Sequence, residues 1–195
     1  MTTDTLQFET ANGQTTAFVA APDNANGETP TVILIQEWWG VNDHIKDIAG
    51  RYAAEGFRAI APDLYRGKLA RNPQEAGEFM QALKVEDGIE IISNAVEKAR
   101  ENYGARKFGI TGFCMGGTYA LRAACELPEF YAAAPFYGDL PPEEVLQKLR
   151  TPIVFFAGIR DKWINPQKSL RTRKNRGKIQ SANRNRFLRR RPRIF

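Results

Sequence analysis

The run TVILIQ, residues 31–36, is apolar without alternation and rich in β-branched side chains. A strand apolar on both faces is stable only between two covering layers, as in the centre of a parallel sheet flanked by helices. The segment that follows meets this demand. VNDHIKDIAGRYAAEG (41–56) puts Ile45, Ile48, Ala49, Tyr52 and Ala53 on one helical face, with Asn42 or Asp43 to cap its start and Gly56 to end it. FRAIAP (57–62) reads as the next strand. A polar stretch then leads to a short helix around Glu78–Leu83. Residues 85–103 place Val85, Ile89, Ile92, Val96 and Ala99 at helical spacing, and Gly104 supplies the stop. Strands at 107–113, 131–138 and 152–158 alternate with helices at 115–127 and 141–149. TTAFVAAP (15–22) alternates weakly and predicts an early antiparallel or edge strand. No repeat or linker interrupts the series. Residues 1–167 therefore predict one α/β domain, a mostly parallel sheet with helices on both faces.

Both the periodicity and the charge balance change at about Gln167. The chain holds 28 Lys and Arg against 22 Asp and Glu, and twelve of the bases but none of the acids fall in Lys168–Phe195. Residues 1–167 thus carry a net −6 and the remainder +12. Such a composition resists burial, so 168–195 is expected to be a disordered tail. Its charge favours phosphate contacts, but it lacks interleaved aromatics and the domain lacks a basic face, so specific nucleic-acid binding is not expected. No apolar run approaches the roughly 20 residues that span a bilayer, and Met1–Glu9 lacks the basic and apolar regions of a signal peptide. Cys114 and Cys125 form neither a disulfide framework nor a metal-binding pattern. The expectation is a cytoplasmic protein with no membrane partner and no metal.

GITGFCMGG (109–117) carries the chemistry. A strand running through small residues into Cys114, with a helix behind it, forms a nucleophile elbow. The turn lifts the side chain above the strand end, and the helix N-terminus favours a thiolate. The backbone N–H of Met115 can point at a developing oxyanion. Cys125, mid-helix on the apolar face, is a core residue, and without a resolving partner Cys114 is poorly suited to redox work. ILIQEWWG ends the buried strand with Glu37, which can accept the thiol proton or hold it in check, and with the N–H of Trp38 as a second oxyanion donor. FFAGIRDKWINP (155–166) puts Asp161 in the loop after the last strand, where an acid can orient a histidine. Trp38, Trp39, Phe113, Tyr137 and Trp163 are candidates to line an apolar pocket, and Arg66, Arg71 and Arg160 to meet a substrate carboxylate.

Taken together, QEWWGVNDHIKDIAGRYAAEGFRAIAPDLYRG (36–67), GFCMGG (112–117) and GIRDKWINP (158–166) resemble the dienelactone hydrolase (carboxymethylenebutenolidase) family, from about Thr15 to Pro166. The resemblance implies an α/β-hydrolase fold with its C-terminal elements incomplete. It implies Cys114 as nucleophile, Asp161 as orienting acid, Glu37 as the carboxylate that helps generate thiolate, and Trp38 and Met115 as backbone oxyanion donors. The implied chemistry is opening of an unsaturated lactone or ester through an acyl-enzyme, with no metal or organic cofactor. The family's histidine is expected after Asp161, and the chain has none there; its single histidine is His44, which reads as a capping or surface residue. Because the departure coincides with the compositional break, we read the tail as a frameshift or a damaged gene copy. The expected consequence is impaired catalysis. The alternatives are a catalytically dead hydrolase-fold binding protein, or nonspecific nucleic-acid binding through the tail.

Overall fold

The structure, a computed structural model, describes residues 1–158, Asp161 and the backbone of 179–181. In chain order its elements are β1 (Thr2–Thr10), β2 (Gly13–Ala21), β3 (Thr31–Ile35), α1 (Asp43–Ala54), β4 (Arg58–Pro62), α2 (Pro73–Ala82), α3 (Val85–Tyr103), β5 (Phe108–Phe113), α4 (Met115–Glu126), β6 (Phe130–Phe136), α5 (Glu143–Leu146), β7 (Ile153–Phe155) and β8 (Ile179–Ser181). Among the described residues the strands form one sheet in the order β1-β2-β4-β3-β5-β6-β7-β8. From β4 to β8 every pairing is parallel, whereas β1–β2 and β2–β4 are antiparallel.

The apolar run at 31–35 sits at the centre, as its composition requires. Ile33 and Ile35 enter a large core with α3 and α4, while Leu34 enters a second core with Ile45, Ala49 and Ala53 of α1. Helices therefore cover both faces. Asn42 caps α1 by accepting the Ile45 N–H at 3.1 Å, and Gly104 ends α3 in the left-handed conformation at φ +63°. α2 begins earlier than expected, at Pro73: Asn72 accepts the Glu75 N–H at 2.9 Å and proline stands in the first turn.

Two differences concern the sheet edges. β1 is absent from the sequence reading, although Leu6 and Phe8 are buried two residues apart on one face. It pairs along its whole length with β2 through a tight turn at Ala11–Asn12, where Gly13 has φ +108°. At the other edge, Ile179–Ser181 lies inside the expected irregular tail, yet it pairs with Ile153–Phe155. There the expectation is corrected: the open backbone donors and acceptors of β7 favour an added strand even from a highly basic segment. The rest of that tail lies outside the described residues.

Candidate active site

β5 runs directly into Cys114, and α4 starts at the next residue. Cys114 has φ +55° and ψ −120°. A non-glycine residue held there costs about 1–3 kcal/mol and persists only when its surroundings over-determine it. Those surroundings are backbone. A Cβ at Gly112 would collide with the Gly116 carbonyl, and one at Gly116 with the carbonyls of Ile35 and Gln36. Strand β5, helix α4 and the end of β3 thus meet without side chains between them, which brings the Glu37–Trp38 loop beside the elbow. The Cys114 N–H donates to the Phe136 carbonyl at 3.1 Å, tying the turn to β6 as well.

The thiol opens on a cavity of about 630 Å³. One face of α4 forms its floor: Met115, Thr118, Tyr119 and Arg122 follow Cys114 at helical spacing. Met80, Leu83 and Val85, from the α2–α3 junction, make one apolar wall, and Leu140, Pro141 and Pro142 make another. Trp38, Tyr137, Asp139 and Asp161 complete the lining. Cys114 is exposed, yet loss of water around the sulfur still pushes its pKa above the ordinary value. A hydrogen bond from the Met115 N–H pulls in the opposite direction, and the charges of Glu37, Asp139 and Asp161 add to the rise. The start of α4 thus favours thiolate through the Met115 N–H, while loss of water and the three carboxylates act more strongly against it.

Of the expected site residues, Cys114, Trp38, Met115 and Asp161 line the cavity. Glu37 is half-buried and does not line it, though its charge reaches both Cys114 and Tyr137. Among the expected aromatics, Tyr137 lines the cavity with Trp38, whereas Trp39 and Phe113 do not; Trp163 lies outside the described residues. The arginine expectations are corrected. Arg66 is turned to Asp87, donating to it at 2.7 Å, and Arg71 pairs with Glu75 at 3.5 Å on the surface. Neither lines the cavity, and Arg160 lies outside the described residues. His44 is exposed in the first turn of α1, where Asn42 does the capping. Cys125 is buried, which pushes its thiol up to about 11.

Thr118, Arg122 and Asp139 were not anticipated. The first two stand four and eight residues after Cys114, a spacing that places them on the face of the nucleophile. Asp139 follows β6 and carries no local signal; its N–H donates to the Thr118 hydroxyl at 2.8 Å, fixing the loop against α4. Among the described residues, no group of three or more His, Cys, Asp or Glu is placed to hold a metal ion, and no helix is long and apolar enough to cross a membrane.

The chain matches the dienelactone hydrolase family over residues 15–184, past the compositional break. A protein of Aquifex aeolicus named “Putative carboxymethylenebutenolidase” is 37% identical over 172 residues, covering 82% of this chain and 72% of the relative. A solved structure described as “Putative Dienelactone Hydrolase” from Klebsiella pneumoniae superposes with a TM-score of 0.78 at 26% identity, covering 94% of this chain and 87% of that one. A dienelactone hydrolase-like promiscuous phosphotriesterase from metagenomic libraries gives 0.82 at 20% identity over 92% of this chain and 80% of its own, a likeness of fold.

Proposed function

The chain belongs to the dienelactone hydrolase family and has the α/β-hydrolase fold, and from that premise we propose that it attacks a lactone or ester carbonyl through Cys114. The observation that carries this is the elbow itself: a strained, exposed cysteine between a parallel strand and a helix, at the edge of a largely apolar cavity. Glu37 takes the thiol proton when substrate enters. The thiolate adds to the carbonyl, and the N–H groups of Trp38 and Met115 receive the oxyanion. The carbonyl–oxygen bond to the leaving group then breaks; the leaving oxygen recovers a proton, and the acyl group remains on sulfur as a thioester.

Hydrolysis of that thioester needs water activated by a base. In a Cys-His-Asp arrangement the imidazole does this and Asp161 would hold it, but the single histidine of the sequence is His44, which does not line the cavity. We accordingly read this chain as an acyl-accepting hydrolase with impaired turnover, located in the cytoplasm and carrying a C-terminal segment altered by a frameshift or gene damage. A p-nitrophenyl ester should give a stoichiometric burst, with a matching mass increase on the protein. Turnover should be lower than in an intact relative by about 10³-fold or more. Cys114→Ala should abolish the burst and His44→Ala should leave it unchanged. Sustained turnover that disappears in His44→Ala would overturn this reading.

A further inference from the structure

Acylation moves a proton from the thiol to Glu37, and the leaving oxygen has to recover one. Glu37 does not line the cavity, so a group that does is needed to carry the proton onward. Tyr137 is placed for this. It follows β6 with φ +40°, a conformation that a bulky side chain adopts only under constraint. Its surroundings supply the constraint. The Tyr137 N–H donates to the Phe156 carbonyl at 2.7 Å, the Phe136 carbonyl before it accepts from the Cys114 N–H, and the Asp139 N–H after it donates to the Thr118 hydroxyl. A Cβ at Gly138 would collide with the backbone of Gly117 and Thr118, and one at Gly117 with the Phe136 carbonyl. The exit of β6 and the first turn of α4 thus meet backbone to backbone. Phe113 pairs with Phe136, so the residues that follow them, Cys114 and Tyr137, leave adjacent strands side by side, both at positive φ and both lining the cavity.

The phenol of Tyr137 is uncommitted. It makes no hydrogen bond among the described residues, and loss of water, then the charges of Glu37 and Cys114, push its pKa above the ordinary value. It therefore stands protonated at neutral pH, within reach of both charges. Tyr119 is the other cavity-lining phenol among the described residues. Burial pushes it up to about 12, and the charges that act on it are those of Arg122, Asp87 and Glu86, away from the thiol.

We propose that Tyr137 is a further catalytic residue of this site, the acid that hands a proton to the leaving oxygen. This inference rests on acylation of Cys114. Glu37 removes the thiol proton and the carbon–sulfur bond forms. As the carbon–oxygen bond breaks, the Tyr137 O–H proton passes to the departing oxygen, and Glu37 returns the thiol proton to the phenolate. Both side chains end as they began, and the net transfer is one proton from sulfur to the leaving oxygen. Such a donor matters more as the leaving group becomes more basic. p-Nitrophenolate is stable enough to leave unaided, whereas phenolate, whose conjugate acid titrates at about 10 as tyrosine does, gains from a proton as it departs.

The probes are p-nitrophenyl, phenyl and p-methoxyphenyl acetates. The readout is the second-order rate of Cys114 acylation, from the phenol released and the mass gained by the protein. Wild type should slow only gently from the first ester to the last. Tyr137→Phe should cut the phenyl and p-methoxyphenyl rates about 10- to 100-fold while leaving the p-nitrophenyl rate within about twofold. The solvent deuterium isotope effect on the phenyl ester should shrink in the same variant. An equal fall for every ester in Tyr137→Phe, or no fall for any, would overturn the assignment while leaving the nucleophile standing. If Tyr137→Phe does not fold, the wild-type series decides. A slowing as steep as that of free mercaptoethanol with the same esters rejects the acid, and a gentler one supports it. Absence of acylation by any ester in wild type would remove nucleophile and acid together.

Discussion

Cys114 is under separate constraints in its backbone and its side chain. The backbone holds a positive φ because glycine carbonyls and α4 leave no other path, so crowding at the neighbouring glycines should be felt as lost stability. Gly116→Ala is expected to destabilise the fold by about 3 kcal/mol, since the atoms its Cβ meets are backbone carbonyls that do not yield; urea unfolding measures this. The side chain is held protonated, by desolvation first and by carboxylate charge second. Alkylation by iodoacetamide should therefore still be accelerating above the usual cysteine midpoint of about pH 8.5, with no plateau below it. Asp139→Asn removes one negative charge, which favours thiolate and lowers the midpoint. The expected gain at pH 7 is about two- to fivefold, the size of an exposed charge pair. A rate unchanged or slowed by that substitution would remove Asp139 from the group that restrains the thiol.

At the scale of elements, the β1–β2 hairpin is clamped to the start of α3. Asp87, in the first turn of α3, accepts from Arg66 and, at 3.1 Å, from Asn12 in the hairpin turn; Arg66 also donates to Thr10 at 2.9 Å. The guanidinium beside Asp87 holds its carboxyl below the ordinary value, with burial opposing. A depressed folded pKa means that this stabilisation is complete above the unfolded value, about 3.9, and is lost as pH falls through the folded one. Asp87→Asn should cost about 3 kcal/mol at pH 7 and less as the medium is acidified below pH 4, which melts recorded across that window would reveal. The clamp also shows why Arg66 misleads when read from sequence. A guanidinium after a loop tyrosine looks the same whether it faces a ligand or a buried carboxylate, and Asp87 stands 21 residues away. Elements built on local periodicity were legible: α1, α3, α4 and the strands between them emerge within a few residues of expectation. β1 was not, because its two inward residues, Leu6 and Phe8, are diluted among Thr, Asp, Gln and Glu. Among the cavity-lining residues, Cys114, Met115, Trp38 and Asp161 were singled out from motif and strand order. The cavity walls were not, since the α2–α3 junction and the loop after β6 meet there only through the fold.

For the whole molecule, charge is the feature that local structure does not average away. Residues 1–167 are acidic and 168–195 hold twelve bases, so the chain should retain short double-stranded DNA at low salt with no preference for sequence. That retention should fall steeply with added salt and vanish when residues 168–195 are deleted, as fluorescence anisotropy would show. Binding that survives the deletion would instead place a nucleic-acid surface on the folded domain. Burst and DNA retention are independent of one another, since thiol and tail are separate groups.

The cavity floor described above has a consequence for stereochemistry. The thiol and the Met115 N–H belong to one helix and its incoming turn and the Trp38 N–H to the loop after β3, so a bound ester is expected to be fixed at its carbonyl carbon and its carbonyl oxygen. The acyl chain then runs between the α4 floor and the walls of Leu83, Val85 and Leu140. A substituent on the carbon next to the carbonyl then meets either the floor or the wall, according to its handedness. The racemic p-nitrophenyl ester of 2-methylbutanoic acid should accordingly acylate Cys114 with one enantiomer ahead of the other, as chiral chromatography of the unreacted ester would show.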